Sequence, residues 1–411
     1  MPGDRRGIRV NRWYRGARSV TEPGCAFLFS RDVAIIGGCG HVGLPLAVAL
    51  AARGATVACY DISADAVAAV SAGVPPFREP GIQLALRAAV AAGRLIATTN
   101  PAVIGGAEHV IVTVDGPVER SLASCSRYFG DGQLLVLRST VAPGGTARLE
   151  KLAADLGIDA DVAFCPERIA EGSAMTELAE LPQIVSSRTG RGLDRAARLF
   201  MRLTPVLVPM SPEEAELAKL FSNAWRYISF AAANQLYAIA NDRGLDYERI
   251  RRGMLIDYPR AASLPPAGFA AGPCLPKDTI ELIHASTGFT LGQAAVAANE
   301  GLADYVLARL ARRYDLACAR VGILGMAFKA GTDDIRASLS YRLRRMLAGR
   351  ARQVLCTDPW VRSDPELVPL SAVLARSDLL VVGAPHPEYR RLETDLPVAD
   401  LWGVTGRGVL I

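Results

Sequence analysis

The sequence predicts an α/β protein: two doubly wound parallel-sheet domains joined by a central long-helix domain. Three observations carry this. An apolar run followed by closely spaced glycines opens a strand–helix–strand pattern near the N-terminus. A helical pattern of roughly 30 residues fills the middle of the chain. A second strand–glycine sequence then echoes the first.

The first element lies in "DVAIIGGCGHVGLPLAVALAARGATVACYDIS". Residues 33–36 read as a buried strand. Gly38-x-Gly40-x-x-Gly43 follows and opens a helical pattern to about Arg53. A second strand, residues 56–60, ends at Asp61. This is the Rossmann-like dinucleotide fingerprint in its strand–turn–helix context. The glycines allow a tight turn and let a pyrophosphate approach the helix N-terminus, where free N–H groups favour an anion. Cys39, His41 and Val42 complete that turn, with no side-chain role for His41 required by the pattern. Asp61, 18 residues after Gly43, stands where a carboxylate takes the ribose hydroxyls. It would repel a 2′-phosphate, so the predicted cofactor is NAD and not NADP.

Further strands are predicted at 109–114, 133–140 and 161–166. Thr140 and Glu167 lie at or just past the carboxyl ends of the last two, where such folds bind ligands. The helical span starts at Ser211-Pro212-Glu213-Glu214, a capping box with proline at the first helical position. It runs to Asp242-Arg243-Gly244, where glycine suits the C-terminal cap. Lys219, Asn223 and Arg226 share one of its faces. Its surroundings are apolar nearly all round, which predicts a buried helix whose polar groups converge on a site. A helix this long can also form a dimer core.

The third block contains "RVGILGMAF", "QVLCTDPW" and "DLLVVGAP". Cys356-Thr357-Asp358 repeats Cys59-Tyr60-Asp61, but the third glycine is missing, so this copy need not bind a dinucleotide. The expected divisions are a basic tail at 1–30, a dinucleotide domain at 31–208, a helical domain at 209–305 and a second Rossmann-like domain at 306–411.

Composition narrows the class. Half of the 411 residues are apolar and 21% charged, as in a soluble globular protein. No run of 18 apolar residues indicates a membrane span. The first thirty residues carry six arginines against Asp4 and Glu22, and supply most of the net charge of +5. They read as a disordered tail or the product of a start codon placed too early, and not as a nucleic-acid arm. Eight cysteines with no C-x-x-C pair, and four histidines, give neither a zinc site nor a disulfide framework. With no export signal, a cytoplasmic location is expected. Only four of the 46 basic residues are lysines, and Lys219, Lys277 and Lys329 lie in the motifs that follow. A site that keeps lysine calls for a compact ammonium rather than a planar fork.

The chemistry concentrates in "AGPCLPKDT", residues 271–279. Cys274 lies between Pro273 and Pro276, and Lys277 and Asp278 begin a helix. A thiol at a helix N-terminus beside lysine is expected to ionise readily. The other seven cysteines are expected to be buried and inert. A thiolate with NAD suggests oxidation at the aldehyde level through a thioester, which needs a base and an oxyanion stabiliser. Asp278 and Glu167 are the candidate bases, and Lys219 and Asn223 the oxyanion pair.

With "GGCGHVGLPLA", "LRSTVAPG", "CPERIAEG", "AELAKLFSNAWR", "AGPCLPKDT" and "GMAFKAGTDDIRAS" in order, the chain resembles the UDP-glucose/GDP-mannose dehydrogenase family over residues 31–411. The resemblance implies two oxidations of a nucleotide sugar at C6 by two NAD⁺, giving a uronate. It implies Cys274 as nucleophile, Asp278 as an aid to water activation and Glu167 as a general base or water-orienting group. Lys219 and Asn223 stabilise the oxyanion, and Thr140 lies near the water. Thr140, Glu171, Lys277 and Lys329 join the glycine turn in holding the cofactor. Glu167, Arg168, Ile169, Lys219 and Asn223, then Phe269, Gly272, Phe328, Lys329 and Arg336, contact the UDP-sugar. The resemblance further implies a homodimer through the long helix, with Arg260 reaching the neighbouring subunit's substrate.

Three departures accompany it. Asp115-Gly116-Pro117 stands where the family commonly has Gly-Thr-Pro. Residues 118–132 are fewer than usual, which predicts loss of a surface helix or lid. Trp402 occupies a position often basic in the family. "PERIAEG" and "ELPQIV" resemble the branch acting on UDP-N-acetylhexosamines, N-acetylmannosamine in particular, while "CLPKD" is also at home in the UDP-glucose branch. Two other readings stay open: a single-step hydroxyacid dehydrogenase using Lys219 and Asn223 with Cys274 as packing, and an NAD-binding protein without turnover.

Overall fold

The computed structural model describes residues 29–116 and 118–406. The basic segment 1–28, with Cys25, lies outside the described residues, as do Pro117 and residues 407–411. The chain forms two compact units, one ending at Lys219 and the other starting at Leu220. Among the described residues no helix is long and apolar enough to cross a membrane.

The first unit is built on β1 (Arg31–Ile36), α1 (Gly43–Ala51), β2 (Val57–Tyr60), α2 (Ala64–Ser71), α3 (Ile82–Ala91), β3 (Leu95–Thr98) and β4 (Ala107–Val112). It continues through α4 (Val118–Cys125), β5 (Leu134–Leu137), α5 (Gly145–Asp155), β6 (Asp161–Phe164) and α6 (Ala174–Glu180). It closes with β7 (Gln183–Ser187), α7 (Gly190–Met201) and β8 (Leu207–Met210). The eight strands lie in the order β3-β2-β1-β4-β5-β6-β7-β8. All neighbours are parallel except β6 and β7. The order reverses between β1 and β4, the switch point beside which open α/β sheets bind ligands. Alternate β1 residues enter different cores: Val33 and Ile35 pack with α1, and Ile36 packs with Val112, Leu137 and Phe164. Burial on both faces explains why this strand reads as a continuous apolar run.

The predicted strands 133–140 and 161–166 are shorter than expected, for local reasons. β5 stops at Leu137 because the N–H groups of Arg138 and Ser139 both donate to the Val112 carbonyl at 3.0 Å, which draws the chain out of the ladder. β6 stops at Phe164, two residues before Pro166, which has no N–H to give. The predicted loss of a helix in 118–132 is corrected by α4. There Val118, Leu122 and Cys125, at i, i+4 and i+7, bury one face against Ile36, Val112 and Phe129.

The long helix α8 (Pro212–Asp242) begins in the first unit and continues in the second. Its capping box is formed: the Ser211 N–H donates to Glu214 Oε2 at 2.9 Å, and the Glu214 N–H donates to Ser211 Oγ at 3.3 Å. Gly244 adopts φ +68° just beyond its end.

The second unit adds α9 (Tyr247–Leu255), α10 (Leu275–Ala285), α11 (Thr290–Arg313), β9 (Arg320–Leu324) and α12 (Leu339–Ala348). It ends with β10 (Gln353–Thr357), α13 (Leu370–Arg376), β11 (Leu379–Val382) and β12 (Val398–Ala399). The four strands are parallel in the order β10-β9-β11-β12. One core joins the helical and sheet parts: Ala233 and Tyr237 of α8 pack with Leu302 and Val306 of α11 and with Val321 and Ile323 of β9.

Candidate active site

In the first unit the glycine turn follows β1. Gly37 has φ +78°, and a Cβ there would lie 3.2 Å from Thr113 backbone atoms. A Cβ on Gly38 would fall 2.7 Å from Cys59 Cα, and one on Gly43 only 2.3 Å from the Gly37 carbonyl oxygen. These glycines let turn, helix and β2 touch. A Cβ on Gly40 would meet nothing closer than 3.5 Å, so the chain itself leaves this side of the turn open, which suits the approach of a pyrophosphate. Val42 is the N-cap of α1 and provides no side-chain cap. Asp61 accepts the Cys39 N–H through Oδ2 and the Ser63 N–H through Oδ1, each at 3.1 Å. His41 stacks on Phe77 with ring centroids 4.1 Å apart, an apolar contact the pattern did not require. Burial and the neighbouring Asp61 push the Cys39 thiol up to about 12, so this cysteine is packing. The cradle and the strand-end acid fit a dinucleotide.

Thr140 and Glu167 stand beyond the ends of adjacent strands β5 and β6. Glu167 is 7% exposed. Its Oε1 accepts the N–H groups of Arg168 and Ile169 at 2.6 and 2.7 Å. Its Oε2 is ion-paired with the guanidinium of Arg138. Arg168 also donates to the Pro182 carbonyl. Glu171, half-buried, lies in the following loop, which Glu79 holds from a distance by accepting the N–H groups of Gly172 and Ala174 at 2.8 and 2.9 Å. Glu216, at the start of α8, accepts from the N–H groups of Gly144 and Thr146, each at 2.7 Å, fixing the loop after Thr140. Sequence reasoning missed Glu79, Arg138 and Glu216. Arg138 has a signal, a charge at the end of the apolar run Leu134–Leu137; Glu79 and Glu216 stand among other charged or turn-forming residues and have none that separates them from a solvated face.

In the second unit Cys274 is the N-cap of α10 and is exposed. The helix starts at Leu275, two residues before the predicted start at Lys277, so the thiol stands at the positive end of the helix dipole. One turn on, Asp278 is fully buried and accepts from the Asn223 amide at 2.6 Å. Lys277 is exposed on the first turn. Lys219 precedes Asn223 by one turn of α8, half-buried at the last residue of the first unit. Gly272 adopts φ +97°, and a Cβ there would meet the Phe328 ring at 2.5 Å, so the loop before the thiol lies flat on the loop after β9. That second loop carries Lys329, whose carbonyl accepts from Thr332, and Arg336, whose guanidinium grips Asp334 at 2.6–3.1 Å.

Phe269 and Arg260 are the remaining residues with expected substrate contacts. Phe269 is 3% exposed inside the core shared by α8 and α11. Arg260 lies on an exposed turn, its guanidinium 5.7 Å from the ring centre of Tyr258. Trp402 is no substitute for a cation: its indole packs on Gly268 and donates to the Gly383 carbonyl at 3.2 Å.

The cysteines separate by environment. Burial raises Cys59 and Cys125, and raises Cys165 and Cys356 to about 12. The expectation that all but Cys274 are buried is corrected at Cys318, which is exposed. There a hydrogen bond to Asp315 pushes the thiol up, so exposure alone does not make it a nucleophile.

Comparison with known proteins matches residues 31–204, 213–300 and 322–406 to the NAD binding, central and UDP binding domains of the UDP-glucose/GDP-mannose dehydrogenase family. The chain is 32% identical to a UDP-glucose 6-dehydrogenase of Haloferax volcanii, over 80% of this chain and 83% of that one. It is 30% identical to an NDP-N-acetyl-D-galactosaminuronic acid dehydrogenase of Ralstonia nicotianae, over 89% and 93%. Among solved structures it is similar to a UDP-D-ManNAc dehydrogenase from Pyrococcus horikoshii, with TM-score 0.84 and 25% identity over 91% of this chain and 96% of that one.

Proposed function

The chain belongs to the UDP-glucose/GDP-mannose dehydrogenase family, and we propose that it oxidises the C6 hydroxyl of a UDP-N-acetylhexosamine, UDP-N-acetylmannosamine foremost, to the uronate in two NAD-dependent steps. The observation that carries this reading is the exposed Cys274 thiol on the N-terminus of α10, with the buried Asn223–Asp278 pair one turn on. Bound NAD supplies the hydride acceptor for both oxidations. The Cys274 thiolate forms its bond to the aldehyde carbon, and the carbonyl oxygen takes up the negative charge. Lys219 and Asn223 stabilise that oxyanion. One Asn223 amide N–H is committed to Asp278, which orients the other. After the second oxidation the adduct is a thioester. Water adds to its carbon, sulfur leaves as thiolate, and the carboxylate is released. Asp278 and Glu167 serve that water, with Thr140 beside it. Both Glu167 oxygens are already held, which suits orientation of the water better than a swinging base.

Phe221, Trp225, Leu236 and Ile239 of α8 are 41–62% exposed. Apolar side chains at this helical spacing support a homodimer through the long helix, with Arg260 serving the neighbouring subunit. No disulfide joins the described cysteines, which fits the cytoplasmic location proposed for the protein.

The test is NADH formation on a panel of UDP-N-acetylmannosamine, UDP-N-acetylglucosamine, UDP-N-acetylgalactosamine, UDP-glucose and GDP-mannose. The proposal expects the highest kcat/KM on the first. UDP-glucose as best substrate would favour the second reading, which the Haloferax volcanii relative supports. NAD binding with no NADH on any sugar would contradict both.

A further inference from the structure

We propose that Arg138 is a positioning residue for thioester hydrolysis: it fixes the Glu167 carboxylate, and without its guanidinium hydrolysis slows while both oxidations continue. The proposal rests on the reading that Glu167 serves the hydrolytic water. Arg138 is 1% exposed, although it follows directly on the C-terminal end of β5. A guanidinium buried this deeply needs a matching counter-charge; its Nε has no hydrogen-bond partner, so the two terminal nitrogens make its polar contacts. One terminal nitrogen, Nη2, pairs with Glu167 Oε2. The other, Nη1, donates to the Cys165 carbonyl at 3.1 Å and to Gln183 Oε1 at 2.9 Å. The plane of the group lies over the Phe200 ring, 5.0 Å from its centre. Gln183 in turn donates to the Pro166 carbonyl at 3.2 Å. Cys165, Pro166 and Glu167 are therefore each gripped by Arg138 or by the glutamine it holds. The N–H groups of Arg168 and Ile169 close on the other carboxylate oxygen. The carboxylate is left one orientation.

The experiment uses the full-length protein with NAD and UDP-N-acetylmannosamine, or whichever panel sugar is turned over best. Rapid-mixing absorbance and intact-protein mass are read on wild type, Arg138→Met, Arg138→Lys and Glu167→Gln. The expected result for Arg138→Met is a burst of two NADH per site. A steady rate lowered about 100-fold then follows, as for a misplaced group, with a larger fraction of acylated Cys274 than in wild type. Arg138→Lys regains part of the rate because a cation returns to the slot, and it carries the same test if the methionine variant does not fold. Adding Arg138→Met to Glu167→Gln costs little more. A variant that binds NAD but loses burst and steady rate together, without acyl-enzyme, would overturn the proposal, as would a wild-type rate. A wild type that yields no NADH on any sugar would sink the reading of the site instead.

Discussion

Each unit ends a parallel strand with Cys-x-Asp, and each places a glycine turn beside that aspartate, yet the two carboxylates meet different surroundings. Asp61 is half-buried and accepts one N–H from the turn and one from Ser63. Asp358 is 6% exposed. It accepts the N–H groups of Met326 and Ala327 at 2.7 and 2.9 Å, those of Trp360 and Val361 at 2.8 and 3.0 Å, and His386 Nε2 at 3.1 Å. His386 is itself fully buried, and its Nδ1 accepts the Gly331 N–H at 3.2 Å. In the first unit the helix begins at Gly43, directly after the turn, so the positive end of its dipole faces the turn. In the second, α12 begins only at Leu339, and the intervening loop carries Phe328, Lys329 and Arg336. The same sequence echo thus yields one dinucleotide cradle and one locked loop. The acid of the second copy is consumed inside the protein and presents no carboxylate for a ribose.

Removing the locked acid should have the largest effect. Asp358→Asn leaves N–H donors facing an amide nitrogen and strips His386 of its carboxylate. About 3–5 kcal/mol of stability should be lost, as on breaking a buried pair, seen as a fall in the midpoint of thermal or urea unfolding. NAD affinity, measured by calorimetry at a temperature where the variant is folded, should be unchanged. A loss of NAD affinity there would break the comparison.

Acid tests the same group without mutation. Burial alone would raise the Asp358 carboxyl, but His386 and the N–H groups hold it down to about 2, against 3.8 for an unperturbed aspartate. A depressed folded-state value contributes stability above pH 4 that is lost as pH falls through 4 to 2. The contribution is roughly 2 kcal/mol. Melting from pH 5 to 2 should fall more steeply in wild type than in Asp358→Asn; equal slopes would contradict this.

Gly38→Ala forces a methyl to within 2.7 Å of Cys59. Its distortion of roughly 1–3 kcal/mol falls on the cradle, and NAD should bind about tenfold to 100-fold more weakly. Gly325, in the second turn, has φ +93° and would place its Cβ 2.7 Å from the Ala384 N. Gly325→Ala should lower stability and leave NAD affinity intact. Asp61→Asn should have the smallest effect: NAD weakened about tenfold, one hydrogen bond to a charged group being worth about 1.5–3 kcal/mol at most, with the preference over NADP reduced.

Much of this was legible in the sequence because the signals are local. The first glycine turn, its strand and Asp61 lie within 30 residues, and the capping box at Ser211 spans four. The missing third glycine foretold that the second turn differs, but not that Asp358 closes on His386, 28 residues away. The supporting polar residues were hidden for the same reason: Glu79 holds N–H groups 93 and 95 positions on, and Glu216 holds residues 70 and 72 positions back. α4 was missed because length was read where periodicity decides. Cys318 was misjudged because burial of a cysteine follows from packing that its neighbours in sequence do not fix.

The central claim is a four-electron oxidation through Cys274. Its most direct measure is the number of NADH formed per UDP-sugar consumed, followed in wild type and in Cys274→Ser. The account predicts two NADH per sugar in wild type, and in the variant loss of uronate formation or a stalled covalent adduct. One NADH per sugar with free aldehyde accumulating in wild type, or wild-type turnover in Cys274→Ser, would contradict it.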